Sequence, residues 1–317
     1  MSKTTVSHVL SGRRPVALTT RERVERSIRD LGYRPDGLAR SLRTQRTHLV
    51  ALLIPDITNP FYPVLARGLE SGMDGPGYHV VICNTDSDLK RALQFVTEVY
   101  DRHVDGIVLD SFAMSVEQLR DRTGPSLPVV WIGADFPDHP GIDIVRSDDE
   151  QGAFDATTHL IRRGCRRIAM IDGAPGGGAP RNDGHRRALA AAGIVAGATR
   201  IRHGGWTREG GAHAMAALLE GTDPPDGVFC ANDLMAIGAL DVLRERGVAV
   251  PDEVAVVGFD DIDAAAIVSP PLTSVVNPAF ETGRVAGALL LERMTGAYTG
   301  PQRVVTLPCR LVARASA

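Results

Sequence analysis

The chain has 317 residues, enough for about two domains of ordinary size. It is 44% hydrophobic and 23% charged, and its longest run of apolar residues and glycine, residues 188–198, is too short to cross a bilayer. The N-terminal residues lack an apolar signal segment, and the four cysteines lie far apart, which argues against secretion, disulfides and a zinc site. These features predict a cytoplasmic protein without a bound metal.

Charge is distributed unevenly along the chain. Residues 1–48 carry eleven basic and four acidic side chains, a net charge of +7, while the whole chain has a formal net charge of −3, so the remaining residues sum to −10. A basic segment on an acidic body is typical of nucleic-acid-binding proteins, because neutralisation of phosphates supplies most of their non-specific affinity. On charge alone, a basic tail without such a partner is the alternative.

The basic segment is predicted to be helical. A first helix covers residues 2–10, and a second begins at a capping box from Thr19 to Glu22 and ends at Gly32. A third short helix is predicted at residues 36–43, where two leucines lie one turn apart.

From residue 49 onward, short β-branched runs alternate with amphipathic helices. The predicted strands cover residues 49–54, 79–83, 106–109, 129–132, 144–146, 167–171, 228–231, 254–259, 273–276 and 303–307. The clearest helices between them cover residues 155–163, 208–219, 235–246 and 280–294. This alternation predicts an α/β fold with parallel sheets, and the number of strands predicts two Rossmann-like lobes.

Polar residues follow most of the predicted strands at their carboxyl ends, which is where doubly wound sheets bind ligands. They include Asp56, Asn84, Asp86, Asp110, Asp135, Asp172, Asn232, Asp233, Asp260 and Asp261. Each of them alone is more simply explained as a helix cap or a turn residue. The hypothesis of a ligand site therefore depends on the whole set converging on one cleft.

The sequence contains no GxSxG, GxxxxGK[ST], HExxH or GxGxxG motif. A glycine-rich loop at residues 173–180 follows a strand and precedes a helix, which is where backbone amides can hold phosphate. Pro175 and Pro180 remove two of those amides, and the glycine spacing fits no nucleotide-binding motif, so a loop at the cleft edge is favoured. We predict no catalytic residues and no cofactor.

Six segments resemble the lactose/galactose-repressor family of bacterial transcriptional regulators, in the expected order and over essentially the whole chain. They are SKTTVSHVLSG (2–12), TRERVERSIRDLGYRPDGLARSLRT (20–44), LVALLIPDITNPFY (49–62), CANDLMAIGAL (230–240), VVGFDDID (256–263) and SPPLTSV (269–275). The resemblance implies a helix-turn-helix headpiece, a hinge helix and a two-lobed core of the periplasmic-binding-protein type. It also implies homodimers that bind palindromic operator DNA with an affinity controlled by a small effector.

The resemblance divides the chain into a headpiece at residues 1–34, a hinge helix and linker at 35–47, and a core for effector binding and dimerisation at 48–317. Lobe one is predicted at about 48–147 plus 278–302, and lobe two at about 148–276 plus 303–317. The first helix of the family's headpiece has no counterpart here. We therefore expect either a longer natural protein or a truncated relative that binds effector but not operator.

The implied DNA contacts lie in two places. In the segment that matches the recognition helix, which begins at Ser2, the base-reading positions are Lys3, Thr4 and His8, and the phosphate-binding positions are Thr5 and Ser7. In the segment that matches the hinge helix, Leu42 is the residue that wedges into the minor groove, between Arg40 and Arg43.

The implied effector site combines aromatic and polar side chains from both lobes. Its residues are Phe61, Tyr62, Asp135, Arg181, Trp206, Asn232 and Asp260. The aromatic faces stack on sugars and purines alike, whereas the arginine and the carboxylates suit hydroxyl groups, so a sugar is favoured. Whether the effector strengthens or weakens operator binding stays open.

Two other classes of function compete with a regulator. A solute-binding protein without DNA binding is disfavoured by the basic segment and the absence of a signal segment, and an α/β enzyme acting on sugars is disfavoured because no nucleophile or acid–base pair is evident. The C-terminal residues contain no leucine heptads of the kind that join dimers into tetramers, so a homodimer is predicted.

Overall fold

The computed structural model describes residues 2–11, 14–32, 46–75, 77–110, 114–133, 136, 138–174, 179–194 and 200–317. The chain forms two compact units, Met1–Thr47 and His48–Ala317. Among the described residues, no helix is both long enough and apolar enough to span a membrane.

The N-terminal unit contains two helices that contact each other, α1 (Lys3–Ser11) and α2 (Leu18–Asp30). Helix α1 begins after Ser2, whose side-chain oxygen accepts a hydrogen bond from the backbone N–H of Thr5 at 3.2 Å and so caps the helix. Val24 of α2 is 2% exposed and packs its apolar side chain into the interior of this unit.

The predicted capping box is wrong. Helix α2 begins two residues earlier than the capping box predicts: its N-cap is Ala17 rather than Thr19, and no side chain caps it. Thr19 therefore lies inside the first turn, where its hydroxyl no longer occupies the N-cap position that a capping box requires. Gly32, with φ of +58°, follows the helix end as predicted. The predicted hinge helix at residues 36–43 lies outside the described residues.

The larger unit alternates strands and helices from its first residues to its last. In chain order the elements are β1 (Leu49–Ile54), α3 (Phe61–Gly72), β2 (His79–Asn84), α4 (Leu89–Asp101), β3 (Gly106–Asp110), α5 (Val116–Thr123), β4 (Val129–Ile132), β5 (Ile142–Ser147), α6 (Asp149–Arg163), β6 (Ile168–Asp172), α7 (Ala179–Ala191), β7 (Ile201–His203), α8 (Arg208–Leu219), β8 (Gly227–Cys230), α9 (Asp233–Glu245), β9 (Ala255–Asp260), α10 (Asp263–Ile267), β10 (Thr273–Val276), α11 (Ala279–Thr295), β11 (Val304–Leu307) and β12 (Arg310–Val312).

These strands form two six-stranded sheets, which confirms the predicted α/β fold with two Rossmann-like lobes. The strand order is β11-β5-β4-β3-β1-β2 in the first sheet and β12-β10-β9-β8-β6-β7 in the second. All neighbouring strands run parallel except β12, which is antiparallel to β10. The chain passes between the sheets three times, after β5, after β10 and after β11. Each lobe is therefore built from separate stretches of the chain, and the two lobes belong to the single unit His48–Ala317.

The predicted boundary of lobe two needs one correction. Strand β11 was expected in lobe two, as part of residues 303–317, but it pairs with Ile144–Ser147 at the edge of the first sheet. The third passage between lobes therefore lies at residues 308–309. Two short edge strands, β7 and β12, were not predicted, because three residues are too few to display a period.

A buried ion cluster holds strand β11 in the first lobe. The Asp143 side chain, on β5, is fully buried, and its two oxygens accept hydrogen bonds from Arg293 Nη2 at 2.6 Å and Arg303 Nη2 at 2.7 Å. The backbone N–H of Arg303 donates to the same carboxylate at 2.9 Å. These bonds lower the pKa of Asp143 although burial acts in the opposite direction. The cluster joins β5, α11 and the segment that leads into β11.

Candidate functional site

The carboxyl ends of the two sheets line one cleft of about 930 Å³ within the larger unit. This size suits a small ligand, since such sites usually measure about 300–1,000 Å³. The structure brings together six of the seven residues predicted for the effector site, namely Phe61, Tyr62, Arg181, Trp206, Asn232 and Asp260. The seventh, Asp135, lies outside the described residues.

Arg181, near the start of α7, is the central charged group of the cleft. Its Nε donates a hydrogen bond to Asp149 Oδ2 at 2.9 Å, and its Nη2 lies 3.7 Å from Asp260 Oδ1. Its Nη1 donates to the carbonyl oxygen of Ala231. Burial alone would lower the pKa of Arg181, but the two carboxylates outweigh it and raise the pKa. Arg181 is therefore permanently charged, and part of its donor set is already used by the protein.

Two aromatic rings flank the same guanidinium. Its Cζ lies 3.9 Å from the ring centroid of Phe259, at the end of β9, and 5.7 Å from that of Trp206. Both distances fall within the range of cation–π attraction. The rings and the carboxylates together fix the plane of Arg181, so the donors that remain point in defined directions.

Trp206 is held in place by its neighbours on both sides. Its backbone has φ of +66°, and its carbonyl oxygen accepts a hydrogen bond from Asn232 Nδ2 at 3.0 Å. A Cβ atom at Gly173 would lie 1.8 Å from Trp206 Cε2, so only glycine fits beside the indole ring. Gly173, which directly follows β6, thus leaves the space that the indole ring of Trp206 occupies.

We expect Gly173→Ala to weaken effector binding by about fivefold, because an added methyl group must displace the indole, and a lost aromatic contact is worth about 1 kcal/mol. Isothermal titration calorimetry on the variant measures the loss. Gly221→Ala is the matched control, since Gly221 is exposed, does not line the cleft, and a Cβ added there would make only an ordinary contact, 3.4 Å from the carbonyl oxygen of Leu218. Equal affinities for wild type and Gly173→Ala would show that Trp206 does not contact the effector.

Asn232 lies in the cleft lining but is largely engaged by the fold. It is the N-cap of α9, where its Oδ1 accepts a hydrogen bond from the backbone N–H of Met235 at 2.9 Å. Its Nδ2 donates to Trp206, as described above. The side chain is 1% exposed. Its clearest role is to position the start of α9 and the platform of Trp206.

Asp110 and Asp149 both line the cleft, although neither is among the seven residues predicted for the effector site. Asp110 ends β3, and its Oδ2 accepts a hydrogen bond from the Tyr62 hydroxyl at 3.1 Å. Asp149 begins α6 immediately after Asp148, the N-cap of that helix. Asp110 was visible as a polar residue at a strand end, whereas Asp149 was hidden, because acidic residues in a first helical turn are explained by the helix dipole.

Burial perturbs the acids of the cleft. Burial raises the pKa of Asp110 to about 7, although the Tyr62 hydroxyl and the charge of Arg181 act in the opposite direction. Burial likewise raises the pKa of Asp260 to about 6, against the opposing charge of Arg181. Burial and the neighbouring Asp110 raise the pKa of the Tyr62 phenol. Carboxylates with raised pKa values in a cleft are characteristic of functional sites.

The first lobe contributes a further pair of aromatic rings that the sequence did not single out. Trp131, on β4, and Phe136 line the cleft, and their ring centroids lie 5.2 Å apart in an edge-to-face arrangement. Phe61 and Tyr62 at the start of α3 pack edge to face at the same distance. Within the described residues, no group of three histidine, cysteine or acidic side chains could hold a metal ion.

Residues 1–36 match the family described as bacterial regulatory proteins, lacI family, and residues 157–317 match a periplasmic binding protein-like domain. Catabolite control protein A of Priestia megaterium is 35% identical over 100% of this chain and 96% of its own length. The chain belongs to the lacI family. The transcriptional repressor CytR of Escherichia coli (strain K12) is 32% identical over 100% of this chain and 93% of its own length.

Solved structures agree with the lacI-family assignment. The structure of a CelR–cellobiose complex, from a transcriptional regulator, shares 34% identity and a TM-score of 0.78 and covers 100% of this chain and 96% of that chain. The lac repressor dimer bound to operator and the anti-inducer ONPF has a TM-score of 0.87 and covers 100% of this chain and 95% of that chain; at 23% identity it supports the fold alone. The chain is thus a DNA-binding transcriptional regulator with an effector-binding core, and its relatives are regulators rather than enzymes.

The residues that the lacI-family resemblance assigns to DNA are only partly described by the structure. Lys3 to His8 lie on α1, where the Thr4 side chain is exposed and those of Thr5 and His8 are half-buried. The hydroxyls of Ser2 and Thr5 lie 2.9 Å apart, so both take part in the start of this helix. Arg40, Leu42 and Arg43 lie outside the described residues.

Proposed function

We propose that the protein is a homodimeric transcriptional repressor whose N-terminal unit binds a palindromic operator and whose core binds a sugar or sugar derivative. The observation that carries the proposal is the Arg181 cluster, in which two carboxylates and two aromatic rings orient one guanidinium at the meeting point of both sheets. Such a cluster offers fixed hydrogen-bond donors and acceptors beside flat apolar faces, which is the combination that a pyranose or furanose ring requires.

Relatives support a sugar as effector. The CelR structure is a complex with cellobiose, and a lacI-family regulator from Enterococcus faecium, 28% identical with a TM-score of 0.76, was solved with bound ribose. In the present cleft, Trp206 and Phe61 supply apolar faces, and Asp260 and Arg181 supply polar groups. The sugar hydroxyls would bind to the charged groups while the ring carbons pack on the aromatic rings.

Control of DNA binding follows from the division of the cleft between the lobes. Tyr62 and Asp110 belong to the first sheet's lobe, whereas Asp149, Arg181 and Trp206 belong to the second. A ligand that contacts both sets stabilises one relative orientation of the lobes over another. An effector can change operator affinity only by such a difference in binding free energy between two states.

A mobility-shift assay tests the proposed function with an operator selected from random DNA by the protein itself. We expect a palindromic sequence, and an affinity that falls at least about a hundredfold between 50 and 200 mM salt, because released counterions dominate the binding of basic segments. Addition of the sugar that binds the core should change the affinity, and the sign identifies an inducer or a co-repressor. Binding without sequence preference, or without response to any ligand of the core, would contradict the proposal.

Substitution of Lys3, at a proposed base-reading position, is the sharpest test of the DNA contacts. We expect Lys3→Ala to weaken operator binding by about tenfold or more, since a contact to a base edge is worth about 1–3 kcal/mol. Lys90→Ala is the matched control, because Lys90 is exposed on the core and is the one other lysine in the chain. If both variants lost the same amount of operator affinity, Lys3 would not be a base-reading residue.

The oligomeric state follows from the proposed operator symmetry. A palindromic site requires a protein with a two-fold axis, so light scattering at micromolar concentration should give twice the mass of one chain. A stable tetramer or a monomer at that concentration would contradict the proposed homodimer.

A further inference from the structure

The cleft carries a strong excess of negative charge. Among the described residues that line it, seven are acidic and one, Arg181, is basic. Four of the acids, Asp56, Asp86, Glu117 and Asp183, lie in the more solvent-accessible parts of the lining. The stretches of residues 48–317 outside the described ones contain no lysine, arginine or histidine, so they supply no further positive charge.

The imbalance is greatest at the buried centre. Asp110, Asp149 and Asp260 influence one another electrostatically, and all three act on or respond to the single charge of Arg181. Arg181 contacts two of them, Asp149 at 2.9 Å and Asp260 at 3.7 Å. Asp110 receives a hydrogen bond from the neutral Tyr62 hydroxyl instead. One guanidinium therefore serves three carboxyl groups, and Asp110 has no ion pair among the described residues.

Three buried side-chain oxygens in the same lining have no hydrogen-bond partner among the described residues: two pure acceptors, Asp110 Oδ1 and Asn277 Oδ1, and the Thr282 hydroxyl, which can both donate and accept. Asp110 and Asn277 are each 7% exposed. Asn277 uses its amide nitrogen to donate to Asp260 Oδ1 at 3.1 Å, so its free group is an acceptor as well. Buried polar atoms are nearly always paired, and unpaired acceptors in a binding cleft require donors on the ligand.

We infer that the effector carries a protonated amine, and that it is an amino sugar whose ammonium group binds Asp110 Oδ1. This inference rests on the proposed function, because it concerns the same cleft. A neutral hydroxyl could donate a hydrogen bond to Asp110 Oδ1 but would leave its buried negative charge uncompensated. An ammonium group both donates the hydrogen bond and compensates the charge. The rings of Phe61 and Trp206 tolerate a cation beside a sugar face. Sugar phosphates and nucleotides would add negative charge to an acidic cleft.

Calorimetry with matched sugar pairs on the full chain tests the inference. The pairs are glucose with glucosamine, galactose with galactosamine and mannose with mannosamine, together with the N-acetyl and 6-phosphate derivatives. We expect at least one amino sugar to bind about tenfold or more tightly than its neutral parent, because charge-assisted hydrogen bonds are roughly twice as strong as neutral ones. N-acetylation, which removes the charge, should abolish the gain, and a 6-phosphate should weaken binding.

Asp110→Asn identifies the carboxylate responsible. This variant keeps the size of the side chain and should bring the affinity ratio of amino sugar to neutral parent to about one. Asp252→Asn is the control, since Asp252 has an 87% exposed side chain and does not line the cleft. An unchanged ratio in Asp110→Asn, a neutral sugar that binds as tightly as its amino form, or no binding by any of the three amino sugars would overturn the inference.

The proposed function and this inference fail in different ways. Operator release by a neutral sugar that binds more tightly than its amino form would overturn the inference and leave effector-controlled DNA binding intact. Absence of specific operator binding by the full chain would overturn the proposed function, whatever the charge of the ligand.

Discussion

Arg181→Ala should lower the free energy of unfolding of the core by about 3–5 kcal/mol at pH 8, because removal of one partner from a buried ion pair leaves uncompensated charge behind. Asp149 and Asp260 would both lose their cation, and the carbonyl oxygen of Ala231 would lose its donor. The stacking contact with Phe259 would disappear as well. Urea unfolding followed by circular dichroism measures the loss.

The matched control for this variant is Arg187→Ala. Arg187 lies on the same helix, and its side chain is 46% exposed and paired with Glu150, so its loss should cost less than about 1 kcal/mol. The cost of Arg181→Ala should also shrink at acid pH. The pKa of Asp260 is about 6, so that carboxyl is neutral below pH 5 and no longer needs a cation. Equal costs for the two variants, or no pH dependence, would show that Arg181 is not the organising charge of the cleft.

Cleft residues could be predicted from sequence where they lie at a strand end or in a family motif, and could not be predicted where only a distant contact gives them their role. Strand ends and family motifs predicted Arg181 and Trp206, because those residues stand in recognisable segments. Asp149 and Gly173 were not predicted. An aspartate in the first turn of a helix is explained by the helix dipole, and a glycine after a strand is explained by a turn. Their roles depend on residues 32 and 33 positions away, and no local pattern reports such contacts.

The fold, too, was predictable where local sequence decides it and unpredictable where distant contacts do. Alternating apolar runs predicted nearly all strands of both sheets, because burial on two faces imposes a continuous β-branched pattern on each. The pattern did not reveal the sheet to which β11 belongs, since that depends on Asp143, Arg293 and Arg303 meeting across 150 and 160 positions of sequence. Local periodicity predicts elements, whereas partners far apart in sequence decide where an edge strand lies.

Asp110→Asn should raise the free energy of unfolding by about 2–4 kcal/mol at pH 8, because each unit of pKa shift corresponds to about 1.4 kcal/mol. Burial raises the pKa of Asp110 to about 7 in the folded protein, well above the value of an unfolded aspartate. The folded protein therefore binds a proton that the unfolded chain has released between about pH 4 and pH 7. Stability falls as pH rises through that window, and the penalty is complete above it. The amide has no charge to desolvate, so the variant avoids this penalty.

Asp143→Asn is the control of opposite sign. The pKa of Asp143 is lowered by its two arginines, although burial opposes them, so its contribution to stability is present at neutral pH and is lost as pH falls. At pH 8, Asp110→Asn should unfold at a higher urea concentration than wild type and Asp143→Asn at a lower one. Below pH 4 the difference between Asp110→Asn and wild type should vanish. A destabilised Asp110→Asn variant at pH 8 would mean that its carboxylate is already compensated. A stabilised variant that no longer favours amino sugars would show that the cleft keeps an unpaired charge at the expense of stability, because the effector supplies its partner.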